Sequence, residues 1–234
     1  MPEKLVTETA VIEKYGINEK VHHLDPGVDY IICQSDVLDS VYESELAERG
    51  FRFLDRILYM EINLSKKKIN TDNDAKRILQ KQGIVFAYDQ VFTESMYQVA
   101  YKAYTSDRRF HLNPVFSQQD AIPVIKAYID ECQLKHMKIC KTLYRDELLG
   151  YVIMDETADG KKCYFENVLG VTIPGIKGKL VAEALYDSVL TWEKNNFKKY
   201  IGRVSSSNMA SINLHFQLGA KVRDIYDEYI YKIQ

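Results

Sequence analysis

The 234-residue chain has no apolar run approaching the ~18 residues that a membrane-crossing helix needs. Its N-terminus lacks the apolar core of a secretory signal. Both absences lead us to expect a soluble, cytoplasmic protein with no membrane partner. Neither charge is in excess: 31 Lys and Arg against 33 Asp and Glu give a formal net charge of −2. That excludes a protein held on nucleic acid by a global basic field, and leaves open only a local basic loop. Cysteine is scarce, with Cys33, Cys132, Cys140 and Cys163 in no pattern, so buried reduced thiols are expected rather than a disulfide framework. Cys132, His136 and Cys140 are evenly spaced, but they straddle a helix end and a strand. A zinc site needs about four ligands, so no metal is expected. There is no Gly-x-Ser-x-Gly elbow, no Walker loop, no internal repeat and no low-complexity tract.

What is present is apolar residue enough for a core, at 46%, and 17 tyrosines against one tryptophan. The chain reads in two parts. Residues 1–83 contain a strand candidate at 29–34, a helix at 37–49 closed by Gly50, and a strand at 51–64. Residues 65–83 read as a linker with one short helix. Its Lys66-Lys67-Lys68 run has no aromatic interleaving and reads as solvated surface, so no nucleic-acid partner is expected.

From residue 84 the order is a strand at 84–88, helices at 93–104 and 120–134, then strands at 138–144, 148–155 and 163–173. A helix at 178–195, a strand at 199–205, a helix at 208–218 and a last strand at 220–233 complete it. Asp146-Glu147 and Asp159-Gly160 mark the turns between the middle strands. This succession predicts an α/β fold with a mixed, mostly antiparallel sheet flanked by helices, preceded by a small N-terminal strand–helix–strand domain.

The segment that carries chemistry is Tyr164 to Leu185, a strand that runs through Pro174-Gly175 into a helix. The first N–H groups of a helix lack internal partners, and the helix dipole is positive there. With Lys177 and Lys179 they form a cradle for a pyrophosphate, which Gly178 lets approach closely. Downstream, Asn208 opens a helix, His215 follows seven residues on, and Leu218-Gly219-Ala220 closes it.

These two segments resemble the GCN5-related N-acetyltransferase superfamily. Its cradle pattern, Gln/Arg-x-x-Gly-x-Gly/Ala, falls on Lys177-Gly178-Lys179-Leu180-Val181-Ala182, with Lys at the first position and Leu180 in place of the central glycine. Its closing helix, with Asn at the start and Leu-Gly-Phe at the end, falls on 208–220. The resemblance implies acetyl-CoA as acyl donor. Its pantetheine arm would pair with a strand edge at Leu169, Gly170 and Val171, with one N–H of that edge polarising the thioester. Asn208 would bond the pantetheine amides. His215, where the superfamily commonly has a tyrosine, would protonate the leaving thiolate. Glu166 would deprotonate the acceptor amine, directly or through water.

A narrower resemblance, to the bacterial TDP-fucosamine acetyltransferases, rests on Ser106-Asp107-Arg108-Arg109-Phe110 and on Gly50-Phe51. It implies an acceptor such as a TDP-4-amino-deoxyhexose, with Arg108 and Arg109 on the diphosphate and Phe110 stacked on base or sugar. The rival readings are a catalytically silent acyl-CoA-binding module and an acetyltransferase for another small amine or a protein amine. A homodimer is compatible with each.

Overall fold

The computed structural model describes residues 21–22, 30–37, 40–66, 74–104, 118–156, 164–172, 176–193 and 195–232. Among them lie β1 (Val21–His22), β2 (Tyr30–Asp36), α1 (Ser40–Glu48), β3 (Arg52–Asn63), α2 (Asp74–Lys81) and β4 (Ile84–Asp89). Then come α3 (Glu94–Tyr104), α4 (Gln118–Leu134), β5 (Lys138–Tyr144), β6 (Glu147–Asp155) and β7 (Tyr164–Thr172). The chain closes with α5 (Ile176–Glu193), β8 (Lys199–Ser205), α6 (Met209–Gln217) and β9 (Lys221–Lys232). No described helix is long and apolar enough to cross a membrane.

The local signals act as chain chemistry dictates. α1 ends where Gly50 takes φ +86°, and the N–H of Phe51 then reaches back to the Leu46 carbonyl at 3.0 Å. Leu46 and Phe51 are both buried, so the cap and the apolar contact coincide. α6 ends the same way at Gly219 (φ +87°), with Ala220 N–H on the His215 carbonyl at 2.9 Å. The β5–β6 turn is made by Arg145 and Asp146, both at positive φ, one residue earlier than expected. Asp159-Gly160 lies outside the described residues.

The nine strands form one sheet in the order β1-β2-β9-β3-β8-β7-β6-β5-β4. All pairings are antiparallel except β7 with β8. Side chains alternate across it. On β6, Tyr151 and Ile153 pack with Met96, Ala100, Ile125 and Ile129 of α3 and α4. Val152 and Met154 pack on the other face with Leu185 and Val189 of α5 and Ile212 of α6.

The expected division at residues 83 and 84 falls between α2 and β4, and one sheet draws strands from both sides of it. The expected strand–helix–strand is present as β2, α1 and β3, but β3 is an interior strand of the common sheet. It pairs with β8 from Ile57↔Ser205 to Asn63↔Lys199 and with β9 from Arg52↔Ile230 to Glu61↔Lys221. Its Ile57, Met60 and Ile62 are buried. Arg56 grips Asp227 of β9 through two hydrogen bonds of 2.6 and 2.7 Å. Among the described residues no other strand lies between β8 and β9.

Candidate active site

β7 and β8 run parallel and are joined from Tyr164↔Lys199 to Asn167↔Gly202. Beyond that rung β7 continues to Thr172 and β8 to Ser205 with no pairing between them. Each stays anchored on its outer side, β7 to β6 through Thr172↔Gly150 and β8 to β3 through Ser205↔Ile57. The two strands therefore fork. The cause lies on β7, where the register to β6 steps from Met154↔Asn167 to Ile153↔Leu169 and leaves Val168 as the extra residue. Such a bulge raises the local twist and turns the strand away from its neighbour. Residues 168–172 thus present a backbone edge to the fork with no described strand across it.

The expected donor-site residues fall around this fork. Leu169, Gly170 and Val171 lie along the open edge. Three residues after β7, α5 begins at Ile176, so its first N–H groups lie close to the fork in the chain. Gly178 is buried, Lys179 and Leu180 are exposed, and Ala182 is half-buried. Val181 faces inward instead, packed with Leu79, Ile84 and Ala184 as a core residue. The structure places the Lys177 backbone in the first turn of α5. Asn208 caps α6, its Oδ1 accepting the Ser211 N–H at 3.0 Å. Glu166 occupies the last-but-one rung before the fork, opposite Ile201. Arg108, Arg109 and Phe110 lie outside the described residues.

His215 sits in an unexpected setting. It is completely buried. Its Nδ1 lies 2.8 Å from the Ser211 carbonyl oxygen, which can only accept, so the proton resides on Nδ1. Nε2 is left to accept from the Tyr200 hydroxyl, also at 2.8 Å. Burial holds the imidazole below its ordinary pKa, with the Ser211 bond offsetting part of that effect. His215 is neutral and has no free N–H to offer the fork, so direct donation to a thiolate does not fit the geometry.

Tyr200 and Gly202, read in the sequence only as parts of a strand, complete the cluster. Residues two apart on a strand share a face. A Cβ on Gly202 would stand 2.7 Å from the Tyr200 hydroxyl and 2.5 Å from His215 Nε2. The O–H···N bond therefore fills the space that a side chain would take at the rung where the strands part. Tyr186 of α5 closes the group, its ring 5.3 Å from the imidazole. On β8 past the fork, Arg203 pairs with the buried Glu228 at 3.2 Å and stacks over Tyr59. Cys132 and Cys140 are buried free thiols, the first pushed up to about 12 by burial.

No protein-family model matches the sequence, and no curated protein matches it. Solved structures share the fold. A tandem GNAT protein from the clavulanic acid biosynthesis pathway superposes with a TM-score of 0.54 over 87% of this chain, at 9% identity. A GCN5-related N-acetyltransferase from Sphaerobacter thermophilus gives 0.52 over 88%, at 13% identity. A Drosophila protein gives 0.56 over 99% of this chain and 68% of its own, at 10% identity. The chain spans 63% and 61% of the first two structures' lengths. The architecture is that of the GCN5-related N-acetyltransferase fold.

Proposed function

We propose that the chain is an acetyl-CoA-dependent N-acetyltransferase working by direct attack of an acceptor amine. The observation that carries this reading is the fork after Asn167↔Gly202, with an open backbone edge on one prong and a helix N-terminus following it. An extended chain of amides such as pantetheine pairs with the edge at 169–171 as an added strand would. An N–H of that edge meets the oxyanion that forms on the thioester carbonyl. The pyrophosphate rests on the first turn of α5 with Lys177, Gly178 and Lys179, and Asn208 bonds the pantetheine. Leu180 and Ala182 border the cradle. The acceptor arrives as an ammonium, and Glu166, or a water it holds, removes the first proton. A nucleotide-linked amino sugar is the acceptor we favour, with Arg108, Arg109 and Phe110 on its nucleotide.

One observation favours a second reading, a silent acyl-CoA-binding module: the sealed environment of His215. A single experiment separates the two. CoA release is measured against a panel of nucleotide-linked amino sugars and free amines, alongside calorimetric acetyl-CoA binding. Amine-dependent release supports the enzyme, and binding without release supports the module. Lys179→Glu is expected to raise the acetyl-CoA Kd about tenfold, the worth of one charge-assisted contact. An unchanged Kd removes the cradle.

A further inference from the structure

We propose that Arg203 selects the acceptor by donating hydrogen bonds to the hydroxyl oxygens of an amino sugar. The inference rests on the N-acetyltransferase reading of the fork and deepens it by naming the residue that meets the sugar ring. Among the described residues, the two faces of β8 differ at the fork. Tyr200, Gly202 and Val204 share one face. The Tyr200–His215 pair fills the space at Gly202, and Val204 is buried with Ile212 and Leu218. That face is closed by α5 and α6. The opposite face carries Ile201, Arg203 and Ser205. Ile201 is buried and shares its rung with Glu166, whereas the Arg203 side chain keeps 27% of its surface exposed. An acceptor therefore reaches the open edge past Arg203, the first residue of β8 beyond the last rung.

The Arg203 guanidinium is held in place before any ligand arrives. Its Nη2 donates to Glu228 Oε1 of β9 at 3.2 Å, and the group stacks at 5.5 Å over the ring of Tyr59, its register partner on β3. Tyr226 of β9 meets the Tyr59 ring edge-on at 5.0 Å. A side chain fixed in this way loses little rotamer freedom when it binds.

Its chemistry then sets the ligand. A guanidinium only donates hydrogen bonds, so it calls for oxygen acceptors. Its charge is balanced by Glu228, and Asp55, buried on β3 opposite Glu228, adds a further carboxylate. These surroundings carry no excess of positive charge, and they suit a neutral hydroxyl better than a phosphate. An alkyl amine would strip water from the guanidinium and return no hydrogen bond.

The full chain is tested with acetyl-CoA and three acceptors: a 4-amino-deoxyhexose, the same sugar carrying a phosphate, and cyclohexylamine, which keeps the ring and the amine but lacks the hydroxyls. The readout is the preference, the ratio of kcat/KM for the unphosphorylated sugar to kcat/KM for cyclohexylamine. Removing Arg203 alone would strand Glu228 as a buried carboxylate, so Arg203→Met is made on a Glu228→Gln parent. The preference is expected to fall about tenfold or more from that of the parent, the worth of one hydrogen bond to a charged group. The acetyl-CoA Kd and far-UV circular dichroism of the double variant should match those of the parent. A merely structural Arg203 would lower both acceptors alike and leave the ratio in place. Should the parent or the double variant not fold, Arg203→Lys takes its place, judged against the wild type, because it keeps a cation beside Glu228 but loses the planar fork. A wild type without the preference, or a variant preference within about twofold of its reference, overturns the Arg203 contact alone. A loss confined to the phosphorylated sugar assigns Arg203 to phosphate and overturns the hydroxyl contact. A wild type that releases no CoA to any amine overturns the contact and the enzymatic reading together.

Discussion

Gly202→Ala puts a single methyl group at the fork and is the sharpest structural test of its floor. That methyl carbon would stand 2.5 Å from His215 Nε2, 2.7 Å from Tyr200 Oη and 3.0 Å from His215 Cδ2. The atoms in its way belong to two fully buried rings, stacked on one another at 5.8 Å and backed by Tyr186. Neither is the free end of a flexible chain, so one ring must leave its place. Forced repacking in a tight core costs roughly 1–3 kcal/mol. Breaking the Tyr200–His215 bond leaves a buried donor or acceptor unmet, about 1–3 kcal/mol more. Alanine regains about 0.5–1 kcal/mol over glycine in a strand, so the net loss is roughly 1–5 kcal/mol. The assay is urea unfolding followed by the fluorescence of the single Trp192, which packs edge-on against Tyr88. Gly219→Ala is the control. It has open space around its Cβ, so only its φ of +87° is at stake, a cost of about 1 kcal/mol. A Gly202→Ala protein within about 0.5 kcal/mol of the wild type would refute the packing described.

Two further outcomes are expected. The fragment 84–234 should show no cooperative urea transition, because without β3 both β8 and β9 lose a full run of partners; a sigmoidal transition in that fragment would show that 84–234 folds as a unit of its own. The pH dependence follows from His215. Its folded pKa lies below the ordinary 6.5, so the unfolded chain binds more protons between the two values. Stability therefore rises with pH across that window, and is lost as pH falls from 6.5 through the folded value. Unfolding free energies between pH 5 and 7.5 should show this slope in the wild type and not in His215→Phe; equal slopes would refute the buried neutral state.

Most of the elements were legible because their signals are local. Gly50 and Gly219 end helices through their own backbone freedom, and Asn208 caps α6 with its own side chain. The spacing from Asn208 to His215 is likewise written in the chain. What surrounds His215 is not, because Tyr200 and Tyr186 come from other elements and meet it only through the packing of β8 and α5. A Tyr-x-Gly on a strand was the one visible hint that a ring lies back over a missing Cβ. The place of β3 was illegible for a related reason. Its alternating pattern fixes that it is a strand with a buried face, but strand order depends on which distant edges lie open. The resemblance points to a strand edge at 169–171; the bulge at Val168 that opens it is a matter of register, which periodicity does not report.

The insertion of β3 between β8 and β9 also fixes an order of events during synthesis. Roughly 140 residues separate β3 from its partners on β8, which places the pairing among the slow, high-contact-order events of folding. At about 5–20 residues per second, a ribosome needs roughly seven to thirty seconds to supply β8 after β3 has emerged. For that interval Leu54, Ile57, Met60 and Ile62 have no sheet to enter. Asp55, Arg56 and Glu61 are interspersed among them and act as gatekeepers that keep the waiting strand from pairing with its neighbours on other chains.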